Sequence, residues 1–373
     1  MSVVEQTTTA TTTATTTANF EDNQILHLSF NQDSSCVSCG TTKGFVIFDT
    51  NPVTVRFEQN FGAGVGIVKV MYRMNIAALV GGGKHPLAPP NKCLIWDDQK
   101  KKIVSQLEYV NCVRAVEMTK NTFVVATEDT NRVYSFTSKL DELYKFKTGQ
   151  NSLGLCELSM NEERPLVLCK TKKKGQVALI DYKDAEYAKK PKGIIECHKN
   201  DIQKIRLNAD GTKFATSSEL GTLVRLYDTE TLNQVGELRR GTDYVSIQNI
   251  YYSDDSKYLL ISSDKGTLHL YSLNHDHQNK KSNLNFISSV LPSYFSSEWS
   301  CAKITVPSEK YIAGIVKSKS TVGVYEINVF MYNGHYQHYL FYPDDKYTIK
   351  LESEGEFFDF ASTSGISETL PQI

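Results

Sequence analysis

An all-β fold, a seven-bladed β-propeller of WD40-like repeats, is what this sequence predicts, and three observations predict it. The first is an internal repeat. Gln203 to Asp228 lies over Gln248 to Tyr271 at an offset of 45 residues, so that Ile205 meets Ile250, Asp210 meets Asp255 and Ser218 meets Ser263. Gly221-Thr222 then falls on Gly266-Thr267, and after a one-residue slip Arg225 falls on His269 and Tyr227 on Tyr271. The second is a further copy near the N-terminus. Phe30-Asn31-Gln32-Asp33 through Thr42-Lys43-Gly44 aligns without gaps, at an offset of 177, to Leu207-Asn208-Ala209-Asp210 through Glu219-Leu220-Gly221. The third is the period itself. Repeats of about 40–45 residues built of short strands are the mark of a propeller, one four-stranded blade per repeat. At roughly 45 residues per blade, about 350 foldable residues make about seven blades.

Each copy reads as strand, Asx-type turn, strand, glycine turn, strand, with short β-branched and aromatic runs such as Phe45-Val46-Ile47-Phe48 between the turns. Weaker blades are placed at Val68–Trp96, Val104–Phe136, Leu153–Asp181 and Cys301–Phe341. No long segment carries a 3.6-residue apolar period, which disfavours an α/β fold. A Thr-Thr-Thr-Ala tract within residues 1–20 has no side chain large enough to build a core and is expected to be a disordered tail. One domain, 21–351, is expected to follow, because a blade cannot bury its faces alone. The acidic, Ser-rich end, 352–373, is expected to be flexible, with Phe357-Phe358-Asp359-Phe360 able to pack back on the last blade.

Composition narrows the function. The chain has 373 residues, 40% hydrophobic and 22% charged, with a formal net charge of −1. That balance argues against a general nucleic-acid binder. No apolar run approaches the roughly 18–20 residues needed to span a bilayer, and no secretory leader is visible, so membrane contact is expected to be peripheral. The eight cysteines are scattered, as suits reduced thiols of the cytosol. Cys36-Val-Ser-Cys39 is a C-x-x-C pair in a predicted strand, where positions i and i+3 face opposite sides; neither metal nor redox function is expected.

The chemistry concentrates at Leu238-Arg239-Arg240-Gly241, between the two best copies. Successive side chains on a strand point to opposite faces, so Arg239 and Arg240 should serve different blades. Arginine's planar fork donates two parallel hydrogen bonds to phosphate. By repeat equivalence a first pocket would use Thr216, Ser218, Thr222 and Arg225, and a second Ser263, Thr267 and His269. Gly221 and Gly266 permit the tight turns between. The alternative for the hydroxyl residues is a blade-stabilising hydrogen-bond network without any ligand.

These residues resemble those of the PROPPIN family, seven-bladed propellers that bind phosphoinositides and act in autophagy. Leu238-Arg239-Arg240-Gly241 is similar to that family's Phe/Leu-Arg-Arg-Gly motif. Leu79-Val80-Gly81-Gly82-Gly83-Lys84, Pro89-Pro90-Asn91-Lys92 and Ile95-Trp96-Asp97-Asp98 resemble its WIPI branch, nearest the WIPI-3/WIPI-4-type members, as does Tyr294-Phe295-Ser296-Ser297-Glu298-Trp299. The resemblance runs from about Leu26 to about Phe341. It implies binding of phosphatidylinositol 3-phosphate and the 3,5-bisphosphate, recruitment from the cytoplasm to pre-autophagosomal and endosomal or lysosomal membranes, and an autophagy lipid-transfer protein as partner. It also adds His198 to the first pocket, on the resemblance alone. A monomer without cofactor is expected.

A second membrane device is the insertion after Leu273, expected over 274–298. A loop of that length in a compact propeller calls for a function. It opens basic, with Lys280 and Lys281, then turns apolar: Leu284, Ile287 and Leu291 share helical spacing, with Phe286 and Val290 nearby. Such a segment could lie in the acyl boundary beneath anionic headgroups; the alternative is packing between blades. Gly81-Gly82-Gly83-Lys84 lacks phosphate-loop spacing. Lys100-Lys101-Lys102 and Lys172-Lys173-Lys174 read as solvated turn edges. No spacing suggests catalysis. The competing function is a general WD-repeat scaffold without a lipid role.

Overall fold

A computed structural model describes residues 23–137, 140–184, 190–273 and 298–360. Every regular element in those residues is a strand, and the strands form seven sheets, antiparallel except for one short parallel pair at the edge of blade five. Blade one covers residues 25–60, blade two 65–108, blade three 113–147 and blade four 156–196; blade five covers 202–239, blade six 247–305 and blade seven 311–356. Each is a four-stranded meander; Glu298–Trp299 intervenes in sequence within blade six and joins the edge of blade five instead. The first strand of every blade touches the first strand of the next, and Ile25–Phe30 of blade one touches Tyr311–Lys317 of blade seven. The innermost strands therefore close into a ring.

The packing explains why the blades need one another. Apolar clusters fill the seams between neighbouring blades. Phe45, Leu79 and Trp96 join blades one and two, Leu168, Phe214 and Tyr227 join four and five, and Val224, Leu238 and Tyr271 join five and six. Second strands such as Cys36–Thr41 and Tyr258–Ser263 are buried along their whole length, since both faces meet other blades. Cys36 packs in the seam toward blade two and Cys39 in the seam toward blade seven, opposite faces of one strand as their spacing requires. Each rim strand leaves an outer edge, which only blade five covers in part, with Glu298–Trp299, among the described residues. In blades one, two, three, five and seven that strand bulges at Arg56, Val104, Leu143, Val235 and Glu352, and a bulge blunts an edge against pairing with another chain.

Three sequence expectations need correction. Ala302–Thr305 is the outer strand of blade six, so the last blade begins at Tyr311 rather than near Cys301. Residues from Val104 belong to the rim of blade two. Rim strands are half-exposed and weakly apolar, so they leave little mark on the hydrophobic pattern. The ordered chain also runs past 351: Thr348–Glu356 is the outer strand of blade seven, and Phe357 and Phe358 are buried behind it. The Thr-rich tract and residues 361–373 lie outside the described residues.

Among the described residues no strand is exchanged between the ends of the chain. The Asn23 N–H donates to the Phe360 carbonyl at 3.3 Å, and the Leu28 N–H donates to the Tyr332 hydroxyl at 3.1 Å. Phe357 meets Phe48 of blade one and Phe330 of blade seven edge-on, with ring centroids 5.3 and 5.1 Å apart. Aromatic packing thus locks the seam. Phe357→Ala should lower the unfolding free energy by about 3 kcal/mol, as truncation of a buried phenylalanine does. Urea unfolding followed by tryptophan fluorescence measures it; a loss below about 1 kcal/mol would mean the seam is held elsewhere.

Candidate anion-binding site

Blade five ends in the strand Gln234–Arg239, and period-two alternation along it separates the two arginines. Glu237 faces the blade-four side, where its carboxylate pairs with Arg225 Nε at 3.0 Å. Arg239, two residues on, shares that face. Leu238 faces the other way, into the seam with blade six. Arg240 follows it: its N–H donates to the Thr222 carbonyl, and its guanidinium donates to Ser263 Oγ and Thr267 Oγ1, both at 2.9 Å. Arg240 thus turns toward blade six, and alternation puts Arg239 on the other face of the strand.

The second pocket therefore assembles as the repeat suggests. Ser263 and Thr267 are register partners across the glycine turn of blade six, and His269 follows on the same face. Two residues there go unmarked in the sequence. His269 Nδ1 lies 3.3 Å from Ser300 Oγ, and Lys303 sits opposite His269 in register. Both come after the insertion, where the repeat offset is lost. Burial, Lys303 and Arg240 together pull the His269 imidazole down to about 3, so it is neutral at physiological pH.

Arg240 is the unusual group. It is only 9% exposed, its side-chain hydrogen bonds go to two hydroxyls, and no carboxylate pairs with it among the described residues. Its Nε is buried without a hydrogen bond. A buried cation normally has an anionic partner, because desolvation costs several kcal/mol. Among the described residues this one has none.

The first pocket is built differently. His198, in the linker from blade four, places Nε2 3.0 Å from Thr216 Oγ1 and 3.2 Å from the Thr216 carbonyl. Burial and then the Arg225 charge lower this imidazole to about 4. Thr216 and Arg225 are register partners, and Ser218 lies two residues beyond Thr216 on the same face. Arg225, however, donates to the Cys197 carbonyl at 2.5 Å as well as pairing with Glu237. Its charge is already matched, so it positions the pocket wall; Arg239, on the neighbouring strand, is 7% exposed. Alternation back from Arg239 points to Glu237, a signal the sequence does contain.

The glycines divide. Gly221 and Gly266 have φ of +65° and +62°, and an added Cβ at Gly221 would overlap the Val245 carbonyl oxygen. Gly241 has an ordinary φ and open space around it, so nothing there requires glycine. Thr222 contributes its backbone carbonyl.

The insertion is tied to the same place. Glu298–Trp299 pairs in parallel with Leu238–Arg239, adding a fifth strand to blade five. The return limb of the insertion thus lies along the arginine strand at the rim. The membrane-inserting residues expected from sequence, Lys280, Lys281, Leu284, Phe286, Ile287, Val290 and Leu291, lie outside the described residues.

Comparison with known proteins bears on the whole arrangement. A family model described as PROPPIN matches residues 25–304. SVP1-like protein 2 of Pichia angusta is 31% identical over 347 residues, covering 89% of this chain and 95% of the relative. Autophagy-related protein 18 of Dictyostelium discoideum is 30% identical over 259 residues, covering 69% and 68%. The solved structure of Kluyveromyces lactis Hsv2 matches with a TM-score of 0.72 at 26% identity, covering 90% of this chain and 99% of that one.

Nuclear magnetic resonance titration of the free protein should find His198 titrating near 4 and His269 near 3. A value near 6.5 for either would place that ring in water, away from its arginine.

Proposed function

The chain belongs to the PROPPIN family, and on that premise we propose that Arg239 and Arg240 each anchor one phosphoinositide headgroup, on opposite sides of blade five. The ligands are phosphatidylinositol 3-phosphate and the 3,5-bisphosphate, and binding recruits autophagy machinery to the membrane during autophagosome formation. The observation that carries this reading is the buried Arg240 guanidinium, which has no carboxylate partner among the described residues and is ringed by hydroxyls suited to phosphate oxygens. On the blade-four side Arg239, Thr216, Ser218 and His198 form the matching pocket. A phosphate monoester carries between one and two negative charges at neutral pH, enough to satisfy such a guanidinium.

The insertion is the third contact of this proposal. Its return limb along the blade-five rim would bring Leu284, Phe286, Ile287, Val290 and Leu291 to the acyl boundary, with Lys280 and Lys281 at the headgroups. Tyr244, 74% exposed in the linker after Arg240, suits the interfacial layer. Once one contact forms, the others bind at an effective concentration in the millimolar range, so weak sites add up to firm attachment. Cytoplasmic protein recruited to pre-autophagosomal and endosomal membranes, and a lipid-transfer protein as partner, complete the reading. A WD-repeat scaffold without lipid binding would leave the burial of Arg240 unexplained.

Two measurements check it. In liposome co-sedimentation, Arg239→Thr or Arg240→Thr should weaken binding to phosphatidylinositol 3-phosphate vesicles by roughly tenfold or more, as loss of charge-assisted hydrogen bonds does. The double variant should bind no better than to vesicles lacking the lipid; full retention would sink the two-pocket reading. A soluble inositol 1,3-bisphosphate should also raise the titration points of His198 and His269 above their free values near 4 and 3. An anion favours the protonated ring, so binding takes up protons as pH falls from the bound value toward the free one. Unchanged titration points under saturation would contradict contact with the headgroup.

A further inference from the structure

In every blade the turn between second and third strands shares one edge of the ring with the linkers between blades. The two arginine-flanked pockets lie on that edge, at blades five and six. One blade earlier stands a third construction of the same plan. Strand Leu166–Lys170 of blade four enters the turn Thr171-Lys172-Lys173-Lys174-Gly175, and Gly175 has φ +72°, matching Gly221 and Gly266. The linker from blade three supplies Gln150 and Asn151 where the linker from blade four supplies His198 to the first pocket. Between linker and turn lies a cavity of about 380 Å³, lined by Gln150, Asn151, Lys170, Lys172, Lys174 and Asp201 among others. Polar surface dominates it.

This cavity is joined to the first pocket. The Gly175 carbonyl accepts the N–H groups of Cys197 and His198, at 2.9 and 3.1 Å. Lys174 Nζ lies 3.4 Å from Glu219, on the turn that carries Gly221, and Asn200 donates to the same carboxylate at 3.0 Å. The lysines have carboxylate partners that are easily exchanged. Lys173 pairs with Glu196, both 68% exposed, and Lys174 with Glu219 at 58% and 48%. Exposed pairs of this kind hold with little more than thermal energy. Lys170 pairs with Asp201 at 3.3 Å, and Lys172 has no carboxylate partner among the described residues. Four lysines, Lys170 and Lys172 to Lys174, thus face three carboxylates, Glu196, Asp201 and Glu219.

We infer that the lysine turn of blade four is a third anion subsite, taking the second phosphate of a doubly phosphorylated inositol headgroup whose first phosphate occupies the His198–Arg239 pocket. Lys172 and Lys174 would bind it as mobile point charges, while Lys170, held by Asp201, fixes the cavity wall. The inference rests on the two-pocket reading and adds the source of selectivity between singly and doubly phosphorylated lipids. A free phosphate in solution has the same chemistry, so the test separates the sources.

The experiment is co-sedimentation of the full chain with vesicles containing phosphatidylinositol 3-phosphate or the 3,5-bisphosphate at equal mole fraction. The variants are Lys172→Ala with Lys174→Ala, and a control, Lys100→Ala with Lys101→Ala, which removes equal charge from the opposite edge on blade two. The subsite predicts roughly tenfold weaker binding of the blade-four variant to bisphosphate vesicles, binding to the monophosphate within about twofold, and no change in the control. Addition of inorganic phosphate at millimolar concentration should leave the bisphosphate preference standing. Equal losses on both lipids would overturn the inference, since they report general attraction to a charged surface; so would no loss on either, or erasure of the preference by inorganic phosphate. Failure of wild type to bind either lipid would instead indict the two-pocket reading.

Discussion

A propeller blade has two apolar faces and no means of covering either by itself. Everything else in this structure follows from that constraint. It forces seven sheets into a ring, fills each seam with side chains such as Phe214, Tyr227, Leu238 and Tyr271, and leaves each seam to change character at the edge of the ring, where the chain turns. There the same alternation that sends Leu238 into a dry seam sends Arg240 into its wet end. The binding geometry is thus a by-product of the packing geometry, and the arginines need no loop of their own to be held apart.

The two pockets differ in how their charge is balanced. On the blade-six side Arg240 is buried against hydroxyls that leave its charge unmatched, with Lys303 and a neutral His269 nearby. On the blade-four side Glu237 pairs with Arg225. The repeat makes the two look equivalent, Arg225 over His269. The structure makes them a charged pocket and a tempered one.

How much of this the chain announced depends on burial. The copies at 203–228 and 248–271 are legible because their inner strands are apolar and their turns carry Asn, Asp and Gly where the backbone demands them. Rim strands such as Ala302–Thr305 and Thr348–Glu356 have one face in water and no such signature, so blade borders slid by several residues. Ser263, Thr267 and the parting of Arg239 from Arg240 could be read from period and repeat. Ser300 and Lys303 could not, because an insertion separates them from the rest of their blade. The packing of Phe357 on the last blade is legible, but its contact with Phe48 is not: it joins the two ends of the sequence, and no local pattern reports a contact of that range.

The central claim is that one blade serves two headgroups through adjacent arginines facing opposite seams. Calorimetric titration with a short-chain, soluble phosphatidylinositol 3-phosphate tests it most directly, because it counts sites without a membrane. Two bound molecules per chain are predicted for the wild type, and one each for Arg239→Thr and Arg240→Thr. A single site in the wild type, or one lost only when both arginines are replaced, would show that the pair acts on one ligand and would contradict the account.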